Sequence, residues 1–563
     1  MEHTMSPASP GALAGHAPPD PGSAATGSAV ITDPRRQRLV LIAMCTALVA
    51  VVGSVSGLNV AQQAMAADLG ASQSTLLWII NGYTVALAAL LLPLGAIGDR
   101  WGRKWLLVGG LVLFSAANLV AAMAASASVV LVARIVAGAG AALIMPVTLS
   151  TITSSFPADR KAQAIGIWTG FAGAGGIIGL FASSLIVDEL TWPWVFALPI
   201  ALSAIALVLT VASVGNSKED HAGRFDIGGS VLSALAIGGL VLGIHEGPEK
   251  GWTDPLTVAG IVVGVVALLA FVAWERRQEH PLLDVRVFAD RSLAAGSVTL
   301  VVVFGIMFGL FLVLLQYLQA VLGYSALRSA SGLLPMAVML MGLSSVAPRL
   351  AGRFGNRQML VAGLGTFTAG LVVLAMMASA DGGYWSVLPG LVIIGAGLGL
   401  SMTPGTTAIT GALPEERQGV ASALNDTVRE LGGALGVALL GSMLNSGYRS
   451  GVSDLAGTLP EGAYEPVREG IGRALAVAGD PATPPDVARD VLATAGEAFV
   501  DGWRTSMWFG VALAAGALLY VLLRGPGPEA DPGGEVLLVD GSADGPEAAV
   551  DADGAPALVP APA

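Results

Sequence analysis

Three ionisable residues are spaced for acid–base chemistry within an otherwise apolar stretch of this sequence. Arg429 and Glu430 follow Asp426 by three and four residues, which puts all three side chains on one face of a helix. The arginine can neutralise one carboxylate and leave the other able to exchange a proton. The same arrangement can instead be a structural ion-pair cluster that packs the helix against a neighbour. The spacing predicts a proton-exchange site, with the structural cluster as the alternative.

A second group combines glycine with charge in a short stretch between two apolar blocks. We call it the switch loop, and it comprises Gly95, Gly98, Asp99, Arg100, Gly102, Arg103 and Lys104. Glycines allow a tight reversal of the chain and a close approach of two helices. The Asp99 carboxylate can lie at a helix N-terminus and pair with a nearby arginine. We expect these ionic contacts to form in one conformation and to break in another.

Bulky aromatic residues occur in the apolar blocks where they could face a cavity. Trp78, Tyr83, Trp168 and Phe171 offer flat faces to a planar amphipathic molecule. Aromatic side chains of membrane proteins also anchor helices at the interfaces, which is the alternative reading. Pro146 interrupts a further block, and local unwinding at such a proline can shape a substrate path.

The elements that hold these residues are predicted to be membrane-spanning helices. Of the 563 residues, 54% are hydrophobic and only 12% are charged, against about 25% charged residues in soluble domains. The mean hydropathy is +0.73. Apolar blocks long enough to cross a bilayer recur, with the charges confined to the breaks between them. Fourteen helices are expected, over 38–60, 75–97, 105–125, 129–152, 163–186, 193–214, 226–245, 256–274, 293–316, 330–350, 359–378, 384–408, 419–444 and 503–524.

A charge inside these blocks is a functional candidate, because at the centre of a bilayer it costs about 2.5–3.5 kcal/mol. Arg134 lies in the fourth predicted helix. We expect it to support a substrate or proton site. The alternative is that its long side chain reaches the membrane interface.

The distribution of Lys and Arg predicts the orientation of the chain. An even number of helices puts both termini on one side, and that side carries 19 of the 28 Lys and Arg residues. The positive-inside rule therefore puts both termini in the cytoplasm. The composition predicts a disordered arm over 1–37 and an acidic disordered tail over 525–563. The Ala- and Gly-rich composition is typical of a bacterium with a high-GC genome, so we expect the chain to lie in a bacterial plasma membrane.

An internal repeat predicts two similar halves. An offset of 257 residues aligns two loops of the form Pro-x-acid-Arg and also aligns Gly179 with Gly436. Two halves that rock about a central site are what alternating access requires. We expect a six-helix half over 38–214, two inserted helices with their linkers over 215–292, and a second six-helix half over 293–524. The second half is expected to include a loosely structured external loop over 445–502.

Several other classes of protein are excluded by composition. The single Cys45 allows no disulfide within the chain and no thiolate metal site, and the five histidines show no ligand spacing. The net charge of −12 argues against nucleic acid as a partner. The sequence shows no nucleotide-binding loop and no catalytic cluster. We therefore expect neither an enzyme nor a cofactor, metal or obligate protein partner.

The switch loop resembles the signature loop of the major facilitator superfamily, G-x-L-A-D-R-x-G-R-K, and differs only at Ile97 and Gly98. The resemblance extends over about 38–524. The helix count and the stretches 247–252 and 421–433 are similar to the fourteen-spanner drug:proton antiporter family. This resemblance implies an all-α polytopic membrane protein with the major facilitator fold. It also implies proton-driven export of drugs or other small amphipathic organic compounds across the lipid bilayer.

Several positions depart from the pattern of that family. Ser54 stands where members carry an acid in helix 1, and Asn81 where some carry Asp in helix 2. Residues 179–184 of helix 5 lack the proline and the glycine pair of the antiporter motif. We expect Ser54 and Asn81 to join the aromatic residues and Pro146 in the substrate cavity. The losses favour an alternative, a lipid or metabolite transporter of the same fold with weakened or absent proton coupling.

Overall fold

The computed structural model describes residues 30–71, 73–217, 225–456, 459, 463–481 and 483–525. Within these residues the chain is almost entirely helical. In chain order the helices are α1 (Pro34–Leu69), α2 (Gln73–Trp101), α3 (Arg103–Ala122), α4 (Ala127–Ser155), α5 (Ala158–Glu189), α6 (Ala197–Ser213), α7 (Ile227–Lys250), α8 (Pro255–Glu275), α9 (Arg291–Gln316), α10 (Ala326–Gly332), α11 (Leu334–Phe354), α12 (Asn356–Met377), α13 (Leu388–Gly411), α14 (Gln418–Gly451), α15 (Tyr464–Glu469), α16 (Ile471–Ala478) and α17 (Pro485–Arg524).

Fourteen helical segments of the described chain are long and apolar enough to cross a membrane, as predicted. One of them consists of α10 and α11 together, over Ala326–Phe354. The predicted break between the eleventh and twelfth spans is also confirmed. There Gly383 has a φ of +59°, a left-handed conformation that favours glycine, and it lies between α12 and α13.

The helices extend beyond the apolar blocks. The end of a helix is set by hydrogen-bond partners for its terminal backbone N–H and C=O groups, and these do not require apolar side chains. At the start of α1, Asp33 accepts a hydrogen bond from the backbone of Arg35. The predicted arm over 1–37 is therefore wrong for residues 34–37, which are helical. Residues 1–29 of that arm and residues 526–563 of the predicted tail lie outside the described residues.

The segment 445–502 is more ordered than expected. Its first residues continue α14 and its last residues belong to α17, so both flanking helices run past their apolar spans. Between them, α16 packs against α17 and α15 packs against α16. The Tyr448 hydroxyl donates to the Val467 carbonyl at 2.9 Å, and Phe499 is fully buried. The expectation of a loose loop is wrong for the described part of this segment, because these apolar faces bury one another.

One pattern of helix contacts occurs twice in the structure. In the first group α1 packs against α5 and α6, while α4 packs against α2 and α3. In the second group α9 packs against α14 and α17, while α13 packs against α11 and α12. The fold thus contains two six-helix halves with equivalent internal packing.

Glycines of the sequence repeat lie at equivalent helix crossings in the two halves. A Cβ placed on Gly53 of α1 would lie 3.3 Å from the Cα of Gly179 in α5. The repeat partner of Gly179 is Gly436 of α14, which meets the backbone of Gly305 in α9 even more closely. Because glycine has no side chain, two helix backbones can approach to this distance. The repeat therefore corresponds to a repeated packing contact.

Two regions of contact join the halves. On one side α5 packs against α11 and α13, and on the other α2 packs against α14. The inserted helices α7 and α8 pack on each other, and α7 also contacts α2 and α14. Part of the linker before α7, residues 218–224, lies outside the described residues. The inserted pair is thus external to both halves, yet it touches one helix of each.

Candidate transport site

A cavity of about 590 Å³ lies between the two halves. Its walls come mainly from α1, α2, α5, α7, α9 and α14, and the lining residues lie in the parts of these helices remote from the switch loop. Small-molecule sites of proteins have volumes of about 300–1,000 Å³ and mostly apolar walls. Most of this wall is apolar, and its neutral polar side chains include Asn59, Gln62, Asn81, Thr84, Gln316 and Asn445.

One wall of the cavity carries three phenylalanines on a single face of α9. Phe304, Phe308 and Phe311 line the cavity, and the ring centroids of each neighbouring pair are 6.3 Å apart. Rings in such a row can stack on the flat apolar face of a ligand. The sequence reasoning did not select these residues, although spacings of four and three residues mark one helix face.

The three ionisable residues of α14 separate into a closed ion pair and an open carboxylate. Arg429 Nη1 lies 3.1 Å from Asp426 Oδ1, and both side chains are almost fully buried. The Arg429 guanidinium also lies 4.4 Å from the ring centroid of Phe304. Glu430 is half-buried, lines the cavity and forms no ion pair with a described residue. Because Asp426 is neutralised by its partner, Glu430 is the carboxylate of this group that a cavity ligand can reach.

Arg134 is fully buried in α4 and its described partners are neutral. Its Nη1 donates to Ser54 Oγ at 2.9 Å and its Nε donates to the Ile79 carbonyl at 3.4 Å. The guanidinium carbon lies 4.1 Å from the Tyr83 ring centroid, and Nη2 has no hydrogen-bond partner among the described residues. The side chain is thus enclosed by α1, α2 and α4 and does not reach the surface of the protein.

Asn81 is the one predicted cavity residue that lines this cavity. The structure places the other six elsewhere, namely Ser54, Trp78, Tyr83, Pro146, Trp168 and Phe171. Ser54 and Tyr83 contact Arg134, and Trp168 is fully buried in the core of the first half. These six residues do not line this cavity, and their part in substrate binding stays a prediction. The Trp168 ring also lies 5.7 Å from the Arg429 guanidinium of α14, and the Trp78 ring lies 6.0 Å from Lys250 Nζ of α7.

The switch loop contacts the second half at the end remote from the cavity lining. Asp99 accepts hydrogen bonds from the backbone nitrogens of Gly419 and Val420 in the first turn of α14, at 2.8 and 3.1 Å. Arg103 pairs with the same carboxylate at 2.7 Å and donates to the Glu416 carbonyl at 3.2 Å. A carboxylate at a helix N-terminus satisfies backbone donors and interacts favourably with the helix dipole. The loop therefore joins the two halves in this conformation.

The glycines of the switch loop permit this docking. Gly102 has a φ of +109°, which joins α2 to α3 in a conformation that favours glycine. A Cβ on Gly95 would lie 2.6 Å from the Gly419 carbonyl oxygen, so α2 and α14 touch backbone to backbone. The remaining members of the loop lie at the end of α2 and the start of α3, and they are Gly98, Arg100 and Lys104.

The described residues contain fourteen segments long and apolar enough to span a membrane, and twelve of them pack as two equivalent halves around a cavity. This arrangement defines a secondary transporter. Comparison with known proteins specifies the family. Residues 42–437 match the family model of the Major Facilitator Superfamily. The chain therefore belongs to the Major Facilitator Superfamily.

The relatives of this chain include bacterial drug-resistance proteins. It is 33% identical over 412 residues to the multidrug resistance protein Stp of Mycobacterium tuberculosis, covering 73% of this chain and 76% of that protein. It is 31% identical over 493 residues to the multidrug efflux pump LfrA of Mycolicibacterium smegmatis, covering 86% and 96%. Among solved structures, the proton:xylose symporter XylE matches with a TM-score of 0.57 at 13% identity, covering 87% and 96%. That likeness shows a shared fold.

Proposed function

We propose that this chain exports drugs and other small amphipathic organic compounds across a bacterial plasma membrane, in exchange for protons, by alternating access. The observation that carries the proposal is Glu430, an open carboxylate in the cavity beside the neutralised pair of Asp426 and Arg429. The phenylalanine row on α9 suits the apolar part of such a substrate. The names of Stp and LfrA, which refer to multidrug resistance and efflux, support the substrate class.

Glu430 supplies the exchange step of this mechanism. When its carboxylate is charged it attracts a cationic or hydrogen-bond-donating substrate, and when it is protonated that attraction is lost. A proton taken up from the exterior therefore favours substrate release. Loss of the proton towards the cytoplasm restores the charge for the next substrate. Asp426 stays paired with Arg429 and keeps the neighbouring charge constant.

Alternating access also requires the protein to open at the end where the switch loop lies, which we call the inner end. Opening there must break the contact between the switch loop and the first turn of α14. Asp99 binds the first turn of α14, while Glu430 lies further along the same helix, by roughly three turns or about 16 Å. One rigid helix thus carries both the cavity carboxylate and the inner contact. Protonation of Glu430 and release of Asp99 can bias the position of this shared element, which is what coupling between two sites requires.

We assign the switch loop and both termini to the cytoplasmic side, because the loops of that side carry 19 of the 28 Lys and Arg residues. The cavity lining then lies towards the exterior, and the described conformation is closed on the cytoplasmic side. We assign the rocking halves to 38–214 and 293–524, with the inserted helices and linkers over 215–292.

The proposal is tested by ethidium accumulation in an efflux-deficient bacterium that expresses the chain, with and without a protonophore. We expect reduced accumulation that the protonophore restores to the level of cells with empty vector. Glu430→Gln should abolish energised export, whereas Glu279→Gln, at an exposed loop position, should retain it. Accumulation equal to that of empty vector, despite confirmed membrane insertion, contradicts export of cationic drugs. Protonophore-sensitive export by Glu430→Gln contradicts the role of that carboxylate.

A further inference from the structure

The inserted helix α7 contributes to the wall of the transport cavity, although it belongs to neither six-helix half. Its last turns place Ile244, His245 and Pro248 on the cavity. Close packing against the first half holds the helix there, since a Cβ on Gly238 would lie 3.0 Å from the Cβ of Ala89 in α2. The same helix contacts α14, which carries Glu430. The cavity is therefore completed on this side by a helix that the two-half repeat does not contain.

The rotation of α7 is set by the residues next to His245. Glu246 is buried, and its carboxylate pairs with Lys250 Nζ at 2.6 Å, one turn further along. The same ammonium group lies 6.0 Å from the ring centroid of Trp78 in α2. This arrangement connects the end of α7 to α2 and turns Glu246 away from the cavity. Neighbouring residues of a helix point in different directions, and among the described side chains of this turn His245 is the ionisable one that lines the cavity.

The loop after α7 holds this turn in place. A Cβ on Gly247 would lie 2.6 Å from the Trp252 ring, so the ring covers the last turn of the helix. Gly251 has a φ of +98°, which turns the chain back towards α8. The sequence stretch 247–252 therefore fixes the orientation in which His245 lines the cavity.

The imidazole of His245 is available to a ligand. The side chain is half-buried, and its ring nitrogens have no hydrogen-bond partner among the described residues. A neutral imidazole offers one donor and one acceptor. Two charged residues of α14 line the cavity, namely Glu430 and Arg429, and Arg429 is already paired with Asp426. Apart from these two and His245, the polar side chains of the wall are amides and hydroxyls. A ligand with a basic or donor group and, separately, a hydroxyl or carbonyl group can therefore bind both residues, the first group at Glu430 and the second at His245.

We propose that His245 is a specificity-determining residue, which binds the hydroxyl or carbonyl groups of an oxygenated aromatic substrate whose basic group is held at Glu430. This inference rests on the proposed export function and specifies its substrate class. The rings of Phe304 and Phe308 stack against the flat part of such a molecule. An aromatic cation without hydrogen-bonding groups contacts Glu430 and the same phenylalanine rings, but it forms no hydrogen bond with His245.

The experiment compares two probes in inside-out membrane vesicles. Doxorubicin carries an amine and several oxygen groups, whereas tetraphenylphosphonium is an aromatic cation with no hydrogen-bonding group. His245→Ala should raise the KM for doxorubicin about fivefold, the worth of one hydrogen bond, with kcat unchanged and with the KM for tetraphenylphosphonium within twofold of wild type. His245→Gln, which keeps a donor and an acceptor, should recover most of the loss. His280→Ala, at an exposed position outside the cavity, should match wild type with both probes.

Two outcomes would overturn the assignment. Equal loss of transport for both probes in His245→Ala means that the side chain only packs, and unchanged transport of both means that it contacts neither. If wild-type vesicles transport neither probe, the export proposal fails. In that case doxorubicin binding to purified wild-type protein and to His245→Ala still decides the inference, because equal affinities refute it and a fivefold difference supports it.

Discussion

The Asp99 carboxylate accepts a hydrogen bond from the backbone nitrogen of Gly419 at 2.8 Å, although the two residues lie 320 positions apart in the chain. This contact joins the end of α2 in one half to the first turn of α14 in the other. The charge of Asp99 serves two functions there, because it caps the helix and also pairs with Arg103. The contact thus depends on a single carboxylate whose removal can be tested.

Asp99→Asn should weaken closure of the inner end, because the amide keeps the shape of the side chain but loses its charge. The readout is maleimide labelling of Val420→Cys, a buried position of this contact, with Cys45 replaced by serine. We expect labelling about tenfold faster than in the parent, in keeping with the loss of about 1–2 kcal/mol from a charged cap. Asp159→Asn, at an exposed acid in the first turn of α5, should leave the rate unchanged. Equal rates in both variants would show that the charge of Asp99 does not hold the inner end closed.

Arg429→Met should destabilise the protein by about 3–5 kcal/mol, because it leaves the buried Asp426 carboxylate without its charged partner. The double variant Asp426→Leu with Arg429→Met should recover most of that loss, since neither charge then remains buried. The stability of the single and the double variant is measured by thermal unfolding of the purified protein in detergent, with size-exclusion chromatography as the readout. Additive destabilisation in the double variant would contradict a mutual pairing of these two side chains.

Ser54→Ala should lower stability by about 1.5–3 kcal/mol, the range for a hydrogen bond to a charged group. The serine hydroxyl is a neutral acceptor for the buried Arg134, and it lies 2.9 Å from Nη1. Ser56→Ala is the matched control, because that serine lines the cavity two residues away. The same unfolding assay should separate the two variants, and equal midpoints would argue against the Ser54 contact.

Gly436→Ala should destabilise the second half by at least about 1–3 kcal/mol, because the new Cβ overlaps the backbone of Gly305. Gly365→Ala introduces the same methyl group on α12, where no neighbouring atom lies within 4 Å of it. It should be neutral or slightly stabilising, since alanine has the higher helix propensity. A folded Gly436→Ala variant with an unchanged unfolding midpoint would show that α9 and α14 can separate without loss.

The candidate site was only partly predictable from sequence. The spacing of Asp426, Arg429 and Glu430 correctly indicated one helix, but it did not show which carboxylate is paired and which is open. That distinction depends on the rotation of α14 against α9, which the close contact of Gly436 with Gly305 fixes. Ser54 and Asn81 were both expected in the cavity, and Asn81 alone lines it because Ser54 is turned towards Arg134. His245 was not selected as a cavity residue, since nothing in its own helix indicates what the helix packs against.

The number and approximate positions of the spanning helices, the two similar halves and the switch loop were determined by the sequence alone. The physical reason is local, because a helix that crosses a bilayer needs a long apolar run and satisfies its own backbone hydrogen bonds. Tertiary structure alone decided which face of each helix meets the cavity, and it decided that Asp99 meets Gly419. These features depend on how closely backbones approach at glycine crossings such as Gly53 with Gly179. Each crossing involves residues far apart in the chain, so no stretch of sequence by itself specifies the rotation that the crossing imposes.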